Sequence, residues 1–131
     1  MEANFNLEII SPEKIIFSNK AQMVKIPSYE GDMSVLKDHI SIISFLRPGL
    51  IKVETNNGNF EEFFTQDGIV EFFNNNLVLL SSTVENIKNL SKDFFDQLSK
   101  ETQDKVDQEG ISDQDRYLLN HKLDVIKEIN I

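Results

Sequence analysis

Short apolar stretches alternate with turn-forming residues from residue 5 to residue 80, and this rhythm limits the fold more than any other feature. Phe5, Leu7 and Ile9 alternate with Asn6 and Glu8, which indicates a strand with one buried face. Similar runs of about five residues follow, with turn signals roughly every 8–12 residues, a spacing typical of an antiparallel β-sandwich or barrel. The sequence therefore predicts a mainly β N-terminal part.

Prolines, glycines and asparagines mark the ends of these strands. Pro12 ends the first strand because proline lacks the N–H that a central strand needs, and Pro27 closes the third. The Asn-Gly pair in the segment 56–59 favours a type I′ hairpin turn. Further strands are predicted at 15–17, 22–26, 50–54, 60–66, 69–73 and 77–80. The last of these is continuously apolar, which predicts that both of its faces are covered.

The segment 26–49 interrupts the rhythm with two turn signals, Glu30-Gly31-Asp32 and Arg47-Pro48-Gly49, and His39 lies between them. Loops that interrupt a rigid scaffold often carry function, and the open alternative is a pair of tight turns without a partner. Glu30 and Asp32 flank a glycine, where acids are more often solvated turn residues than a general acid and base. His39 is more often a hydrogen-bonded structural or interface residue than a ligand.

After residue 87 charged residues become dense and the apolar spacing becomes helical. Ser91 is predicted to cap a first helix that ends at Gly110, and Ser112 a second helix, with Asp115 three residues later. A short turn at 109–111 joins the two helices. The sequence thus predicts two small domains in a β + α arrangement, a sandwich at 1–87 and an antiparallel helical hairpin at 88–131. The apolar positions of the first helix are Leu90, Phe94, Leu98 and Val106.

Composition excludes several classes of function. The chain has no cysteine, so disulfides, thiol catalysis and cysteine-based zinc sites are excluded. Its net charge of −9 argues against nucleic acid as a partner, and no apolar run is long enough to insert directly into a membrane. We found no phosphate-binding loop, nucleophile motif or metal-ligand spacing, so we expect no catalytic residue, metal or cofactor. A small enzyme or sugar-binding sandwich is the alternative, and it would need a pocket with convergent polar groups.

Several motifs, in their order along the chain, resemble the epsilon subunit of bacterial-type ATP synthases. The resemblance covers all 131 residues in one register. It implies a flattened β-sandwich followed by an antiparallel helical hairpin. The motifs are Leu7-Glu8-Ile9-Ile10-Ser11-Pro12-Glu13 with Phe17-Ser18, Glu30-Gly31-Asp32, His39, Leu46-Arg47-Pro48-Gly49, Gly68-Ile69-Val70-Glu71 and Val78-Leu79-Leu80.

The resemblance also implies a role. In this family the sandwich docks on the gamma subunit and on the ring of c subunits, and it turns with them as part of the central stalk. Proton flow is thereby coupled to ATP synthesis by a subunit that is not itself an enzyme. The subunit is peripheral, at the cytoplasmic face of the bacterial inner membrane. Its hairpin folds on the sandwich or extends along gamma towards the alpha and beta subunits, and the extended form restrains ATP hydrolysis.

Position by position, the resemblance places Glu30, Gly31 and Asp32 in the loop that faces the c-ring, and His39 on the gamma side. One departure is a loop in which the family usually has Pro-Gly-His-Ala-Pro. This chain has Lys37-Asp38-His39-Ile40-Ser41 instead, without either proline or the glycine. The resemblance therefore leaves the geometry of this loop open.

Some members of the family bind ATP through an Ile/Leu-Asp-x-x-Arg-Ala motif in the hairpin. The matching residues are Asp113 and Arg116, with the bulky Tyr117 in place of alanine. An ATP-sensing module, whose hairpin switches on nucleotide binding, is thus the alternative function, although an ion pair between Asp113 and Arg116 is the simpler interpretation. Acids on the second helix outnumber Arg116, Lys122 and Lys127, which weakens its attraction to acidic surfaces of the catalytic subunits.

Overall fold

The computed structural model describes residues 3–55 and 58–129, in which ten strands are followed by two helices. The chain divides into two compact units between Ile87 and Lys88. A 3-10 turn at Ile87–Asn89 precedes helix α1 (Lys92–Val106), and helix α2 spans Asp113–Glu128. The strands are β1 (Phe5–Ile10), β2 (Ile15–Ala21), β3 (Met23–Ser28), β4 (Gly31–Leu36), β5 (Ile42–Leu46), β6 (Gly49–Glu54), β7 (Phe60–Thr65), β8 (Gly68–Phe73), β9 (Asn76–Leu80) and β10 (Glu85–Asn86).

The strands form one hydrogen-bonded sheet that folds into two layers. Its order is β10-β7-β6-β3-β5-β8-β9-β1-β2, and β4 also pairs with β3. The sheet turns its corner at β3 and β5, which meet only at Ser28 and Leu46, and the Ser28 and Ser44 hydroxyl oxygens are 2.7 Å apart there. The first layer therefore holds β10, β7, β6, β3 and β4, and the second layer holds β5, β8, β9, β1 and β2. The predicted sandwich followed by a helical hairpin is confirmed.

Alternation within each strand puts the core between the layers. In β1 the side chains of Phe5, Leu7 and Ile9 are buried, and those between them face outwards. Phe17 of the second layer meets Phe63 of the first edge-to-face, with ring centroids 5.6 Å apart. Burial of such apolar area is the main favourable term in folding the sandwich. The other fully covered core residues include Val24, Ile26, Ile51, Val53, Val70, Phe72, Leu77 and Leu79.

The structure corrects several predicted strands. Pro27 lies inside β3 rather than after it, because β6 leaves β3 after Lys25 and no ladder bond from β6 needs the missing N–H. Strands β4 and β5 lie within the segment 26–49, where the sequence predicts turns but no further strand. β9 is covered on one face only, since Leu80 is 46% exposed. β1 and β9 run parallel, whereas the other described pairs are antiparallel. The predicted Asn-Gly turn includes Asn56 and Asn57, which lie outside the described residues.

A hydrogen-bonded clamp fixes the loop between β4 and β5. The Asp38 N–H donates to Asn75 Oδ1 at 2.7 Å, and Asn75 Nδ2 donates back to Asp38 Oδ1 at 3.0 Å. Asp38 has a φ of +66° and Asn75 a φ of +59°, in the left-handed region that few residues other than glycine, Asn and Asp adopt readily. Asn75 belongs to the β8–β9 turn, so the clamp ties the β4–β5 connection to that turn of the second layer.

Both helices begin at the N-cap residues that the sequence predicts. Ser91 Oγ accepts from the Phe94 N–H at 3.1 Å, and Ser112 Oγ accepts from the Asp115 N–H at 3.0 Å. The Lys92 ammonium lies 2.9 Å from Asp96, and this hydrogen bond and the attraction between the two charges raise the pKa of Lys92 above its usual value.

Two details of the hairpin differ from the prediction. Phe95 is buried on α1 instead of Phe94, because Phe95 and Leu98 are three residues apart and share a face with Thr102 and Val106. α1 ends at Val106, so the connection to α2 is longer than the predicted 109–111. Gly110, with a φ of +85°, lies within that connection rather than directly after the helix.

We predict that Asn75→Ala destabilises the sandwich more than Asn74→Ala does. Both residues have positive φ, at +59° and +50°, so alanine costs a similar strain of about 1–2 kcal/mol at either position. Asn75→Ala also removes both bonds to Asp38, which adds about 1–2 kcal/mol. Urea unfolding of the two variants measures the difference, and faster amide exchange at Asp38 in Asn75→Ala alone would locate it. Equal unfolding free energies would contradict the clamp.

Candidate functional site

The β3–β4 hairpin carries the predicted Glu30-Gly31-Asp32 site at its turn. Tyr29 and Glu30 form the turn, and the Glu30 N–H lies 3.3 Å from its acceptor, Ser28 Oγ. Gly31 has a φ of +128°, a conformation that requires glycine, and no atom would contact a Cβ built there. The Glu30 side chain is exposed. The structure therefore brings the three predicted residues together at one end of the first layer, where they are accessible.

Asp32 differs from Glu30 because two cations of the same layer approach it. Lys25 Nζ lies 3.9 Å from one Asp32 oxygen, and Arg47 Nη2 lies 3.5 Å from the other. The Arg47 side chain is only 15% exposed, and the Arg47 backbone N–H donates to the Pro27 carbonyl. Arg47 is therefore part of the folded sandwich rather than a free surface residue. A largely buried guanidinium needs nearby negative charge, which Asp32 supplies. Asp32 thus compensates the charges of Lys25 and Arg47 in the folded chain, and Glu30 is in neither of these ion pairs.

His39 is half-buried and held by its own loop. Its Nδ1 donates to the Ile40 carbonyl at 2.7 Å, and its N–H donates to the Leu36 carbonyl. The imidazole meets the buried Phe72 ring edge-to-face, with centroids 6.0 Å apart. These contacts agree with the expected hydrogen-bonded structural or interface histidine. They leave the gamma-facing role a prediction.

The outer face of the second layer carries an apolar row that the sequence analysis did not predict. Cross-strand pairing joins Phe45 to Ile69, Ile69 to Leu80, Leu80 to Ile10 and Ile10 to Ile15. We call these five residues the first row. Phe45 is 62% exposed, Ile15 59% and Leu80 46%, and Ile10 and Ile69 are half-buried. The row borders a shallow groove of about 600 Å³.

Further apolar side chains extend the face away from the first row. Ile43 is 68% exposed and Phe73 57%, on the same outward side of β5 and β8. Contiguous apolar area of this kind is uncommon on a monomeric protein and is typical of an interaction surface. The first row becomes visible only when the strand register is known, because its members are far apart in sequence. Alternation within each strand was the available signal, since Phe45, Ile69 and Leu80 each lie beside an inward residue.

In the helical unit, the structure places Asp113 and Arg116 on the first turns of α2. The Arg116 guanidinium donates from Nη1 to the Val106 carbonyl at the end of α1, and it thereby ties the two helices together. The ion pair expected between Asp113 and Arg116 is not among those found in the described part of the chain, which join Lys25 and Arg47 to Asp32, and Lys92 to Asp96. Nucleotide binding by Asp113 and Arg116 stays a prediction.

The part of the chain that the structure describes offers neither a metal site nor a membrane-spanning helix. Within 3–55 and 58–129, no group of three or more His, Asp or Glu side chains could hold a metal ion. No helix of the described segments has the length and apolar character needed to cross a membrane. The features that remain are surfaces, namely the hairpin tip and the outer face of the second layer.

Comparison with protein families and curated sequences identifies relatives of this chain. Residues 4–87 match the family described as "ATP synthase, Delta/Epsilon chain, beta-sandwich domain". The ATP synthase epsilon chain of Pelagibacter ubique (strain HTCC1062) is 44% identical over 131 residues, which cover 99% of this chain and 100% of that protein. The ATP synthase epsilon chain of Parvibaculum lavamentivorans is 31% identical over 130 residues, which cover 98% and 97%.

Solved structures share the fold. A chain in the cryo-EM structure of the Euglena gracilis mitochondrial ATP synthase (OSCP/F1/c-ring) superposes with a TM-score of 0.75 at 16% identity, over 97% of this chain and 79% of that one. A chain in the central stalk/c-ring structure of the Tetrahymena thermophila mitochondrial ATP synthase gives a TM-score of 0.60 at 13% identity, over 94% and 93%. With a family match over the sandwich and full-length relatives above 30% identity, the chain belongs to the ATP synthase epsilon-chain family.

Proposed function

We propose that this chain is a non-catalytic rotor subunit in the central stalk of a proton-translocating ATP synthase. The sandwich joins the ring of c subunits to the gamma subunit, so that rotation of the ring reaches the catalytic subunits and drives ATP synthesis. The chain works as a peripheral component at the cytoplasmic face of the bacterial inner membrane. Support comes from the bacterial relatives, which are named as ATP synthase epsilon chains, and from the two binding surfaces of the sandwich.

The observation that carries the proposal is the apolar outer face of the second layer. A subunit that transmits rotation needs a permanent interface, and such interfaces are richer in apolar area than transient ones. The first row supplies a continuous apolar strip across five strands, with Ile43 and Phe73 beside it. We assign this face to the gamma subunit. His39 lies in the connection that leads into β5 of the same layer, which supports a gamma-facing loop.

The hairpin tip is the second surface, and we assign it to the polar loops of the c-ring. Glu30 is exposed beside the positive-φ Gly31, and Asp32 is held by Lys25 and Arg47. A compact, charged turn suits contact with polar loops rather than with a broad apolar surface. The tip and the apolar face therefore take different partners, as a connecting subunit requires.

The helical hairpin is the regulatory part of the proposal, through contact with the alpha and beta subunits. Of its three basic residues on α2, Lys122 is buried and Arg116 is bonded to the Val106 carbonyl. Lys127 is exposed, among the acids Asp113, Asp115, Asp124 and Glu128 of the same helix. Attraction to an acidic surface is accordingly small. We propose that the hairpin of this chain restrains ATP hydrolysis only weakly.

Replacement of the apolar face tests the gamma assignment. Phe45→Ser is expected to weaken binding of the full chain to ATP synthase depleted of it by at least about tenfold, because an apolar contact of about 1.5–3 kcal/mol is lost. Phe60→Ser is the matched control, since Phe60 is 59% exposed but lies on β7 of the first layer. Equal affinities for the two variants, measured by titration, would contradict the assignment.

Charge reversal at the tip tests the c-ring assignment. Glu30→Lys and Asp32→Lys should each lower proton-driven ATP synthesis by the assembled enzyme severalfold, with the chain still bound. Asp32→Lys should also lower the unfolding temperature of the free chain, since it places a third cation beside Lys25 and Arg47. Glu54→Lys, on the outer face of the first layer, controls for the change in net charge. Unchanged synthesis in Glu30→Lys would remove the assignment.

Truncation tests the regulatory proposal. Removal of residues 88–131 should leave ATP hydrolysis by the assembled enzyme nearly unchanged, because α2 presents few basic groups to an acidic surface. The control is the same assembly with the full chain, measured at low and high salt. A strong rise in hydrolysis after truncation would show that the hairpin restrains the enzyme by contacts other than charge attraction, and the proposal of weak restraint would fail.

A further inference from the structure

A second row of side chains runs beside the first row on the outer face of the second layer. Pairing places Ile43 opposite Glu71, Glu71 opposite Val78, Val78 opposite Glu8 and Glu8 opposite Ser18. We call these five residues the second row. Two carboxylates thus lie beside the apolar first row, each next to Val78 on a neighbouring strand.

Strand geometry fixes where these carboxylates lie. Side chains two residues apart on a strand are separated by about 7 Å, so Glu71 and Glu8 lie that far from Ile69 and Ile10 of the first row. β9 separates β8 from β1, so the two carboxylate-bearing Cα atoms are about 10 Å apart. The arrangement is an apolar strip with two negative charges at a defined spacing along one side.

The charges of this face are not neutralised by an ion pair within it. The ion pairs seen in the described part of the chain include those of Lys25 and Arg47 with Asp32, and of Lys92 with Asp96, and none that is seen there involves Glu8 or Glu71. Lys20 is on the same face but opposite Asn6, one row further from the apolar strip. An apolar partner that covered Glu8 and Glu71 without compensating groups would leave two desolvated charges, at a large cost in free energy.

We propose that the stalk partner of this face carries two lysine or arginine side chains, about 10 Å apart, beside an apolar strip that covers the first row. Glu8 and Glu71 each receive one of these cations. The first row supplies contact area, and the two ion pairs set the register of the partner across the sheet. A surface with acids or only apolar groups at these positions is rejected, which gives the interface its specificity. This inference rests on the proposed function, since it specifies the chemistry of the gamma surface.

The test compares uncharged variants of the full chain with the unaltered chain in binding to ATP synthase depleted of it. Glu8→Gln and Glu71→Gln keep size and polarity but remove charge, and each is expected to weaken binding about tenfold. In the double variant the affinity should also depend less on salt than in the unaltered chain. Glu54→Gln on the first layer is the matched control and should bind as the unaltered chain does. Unfolding curves of each free variant check that the sandwich is intact.

The outcomes separate this inference from the function on which it rests. Weaker binding of both glutamine variants, with reduced salt dependence, supports the two cations. Equal or tighter binding overturns it, because a partner without cations gains when the buried charges are removed. If Phe45→Ser weakens binding and the glutamine variants do not, the apolar interface stands and only the cations are wrong. If none of the variants changes binding, the gamma assignment itself fails.

Discussion

The period of two in a β-strand is the constraint on which the rest of this structure depends. Every residue that a strand puts into the core obliges its neighbours to face outwards. Val70 and Phe72 fill the core, so Ile69, Glu71 and Phe73 must lie outside. The core thus determines which positions are external, but core packing does not determine which side chains occupy them. In the second layer the external positions of the first row are apolar, a pattern that the needs of the sandwich core do not require and that is typical of an interaction surface.

Local sequence predicts much of this fold and less of its surfaces. The alternation in β1 and the caps Ser91 and Ser112 are short-range signals, and the structure confirms them. β4 escaped prediction because Gly31 and the charged residues around it look like a loop, although Met33 and Val35 alternate with polar neighbours. The first row was beyond local reasoning, since its members come from five strands and only the register aligns them. For the site, the sequence predicts a turn at Glu30-Gly31-Asp32, which the structure contains, while the pairing of Asp32 with Arg47 is visible only in the folded chain.

In the proposed role, the two surfaces of the sandwich contact different partners in the central stalk. The tip offers charge on a stiff turn, where Gly31 allows the bend and Arg47 anchors Asp32. The face of the second layer offers area, with the first row for apolar contact and the second row for charge. A rotor must resist torque between its partners, and a sheet is well suited to this because its backbone ladder distributes load over many hydrogen bonds. Surfaces placed on strands also keep a more fixed geometry than surfaces built on loops.

The conformation of the loop that carries His39 is restrained by hydrogen bonds instead of by prolines. Prolines stiffen a loop mainly by reducing the conformational freedom of the unfolded chain. This chain lacks the two prolines that the family resemblance predicts there, and it holds the loop by the reciprocal Asp38–Asn75 bonds, which act in the folded state. Such bonds have to form together with the β8–β9 turn, so the position of His39 depends on that turn as well as on its own loop. The orientation of the loop therefore depends on the folded β8–β9 turn of the second layer. A change in that turn would also change the surface that the loop presents to a partner.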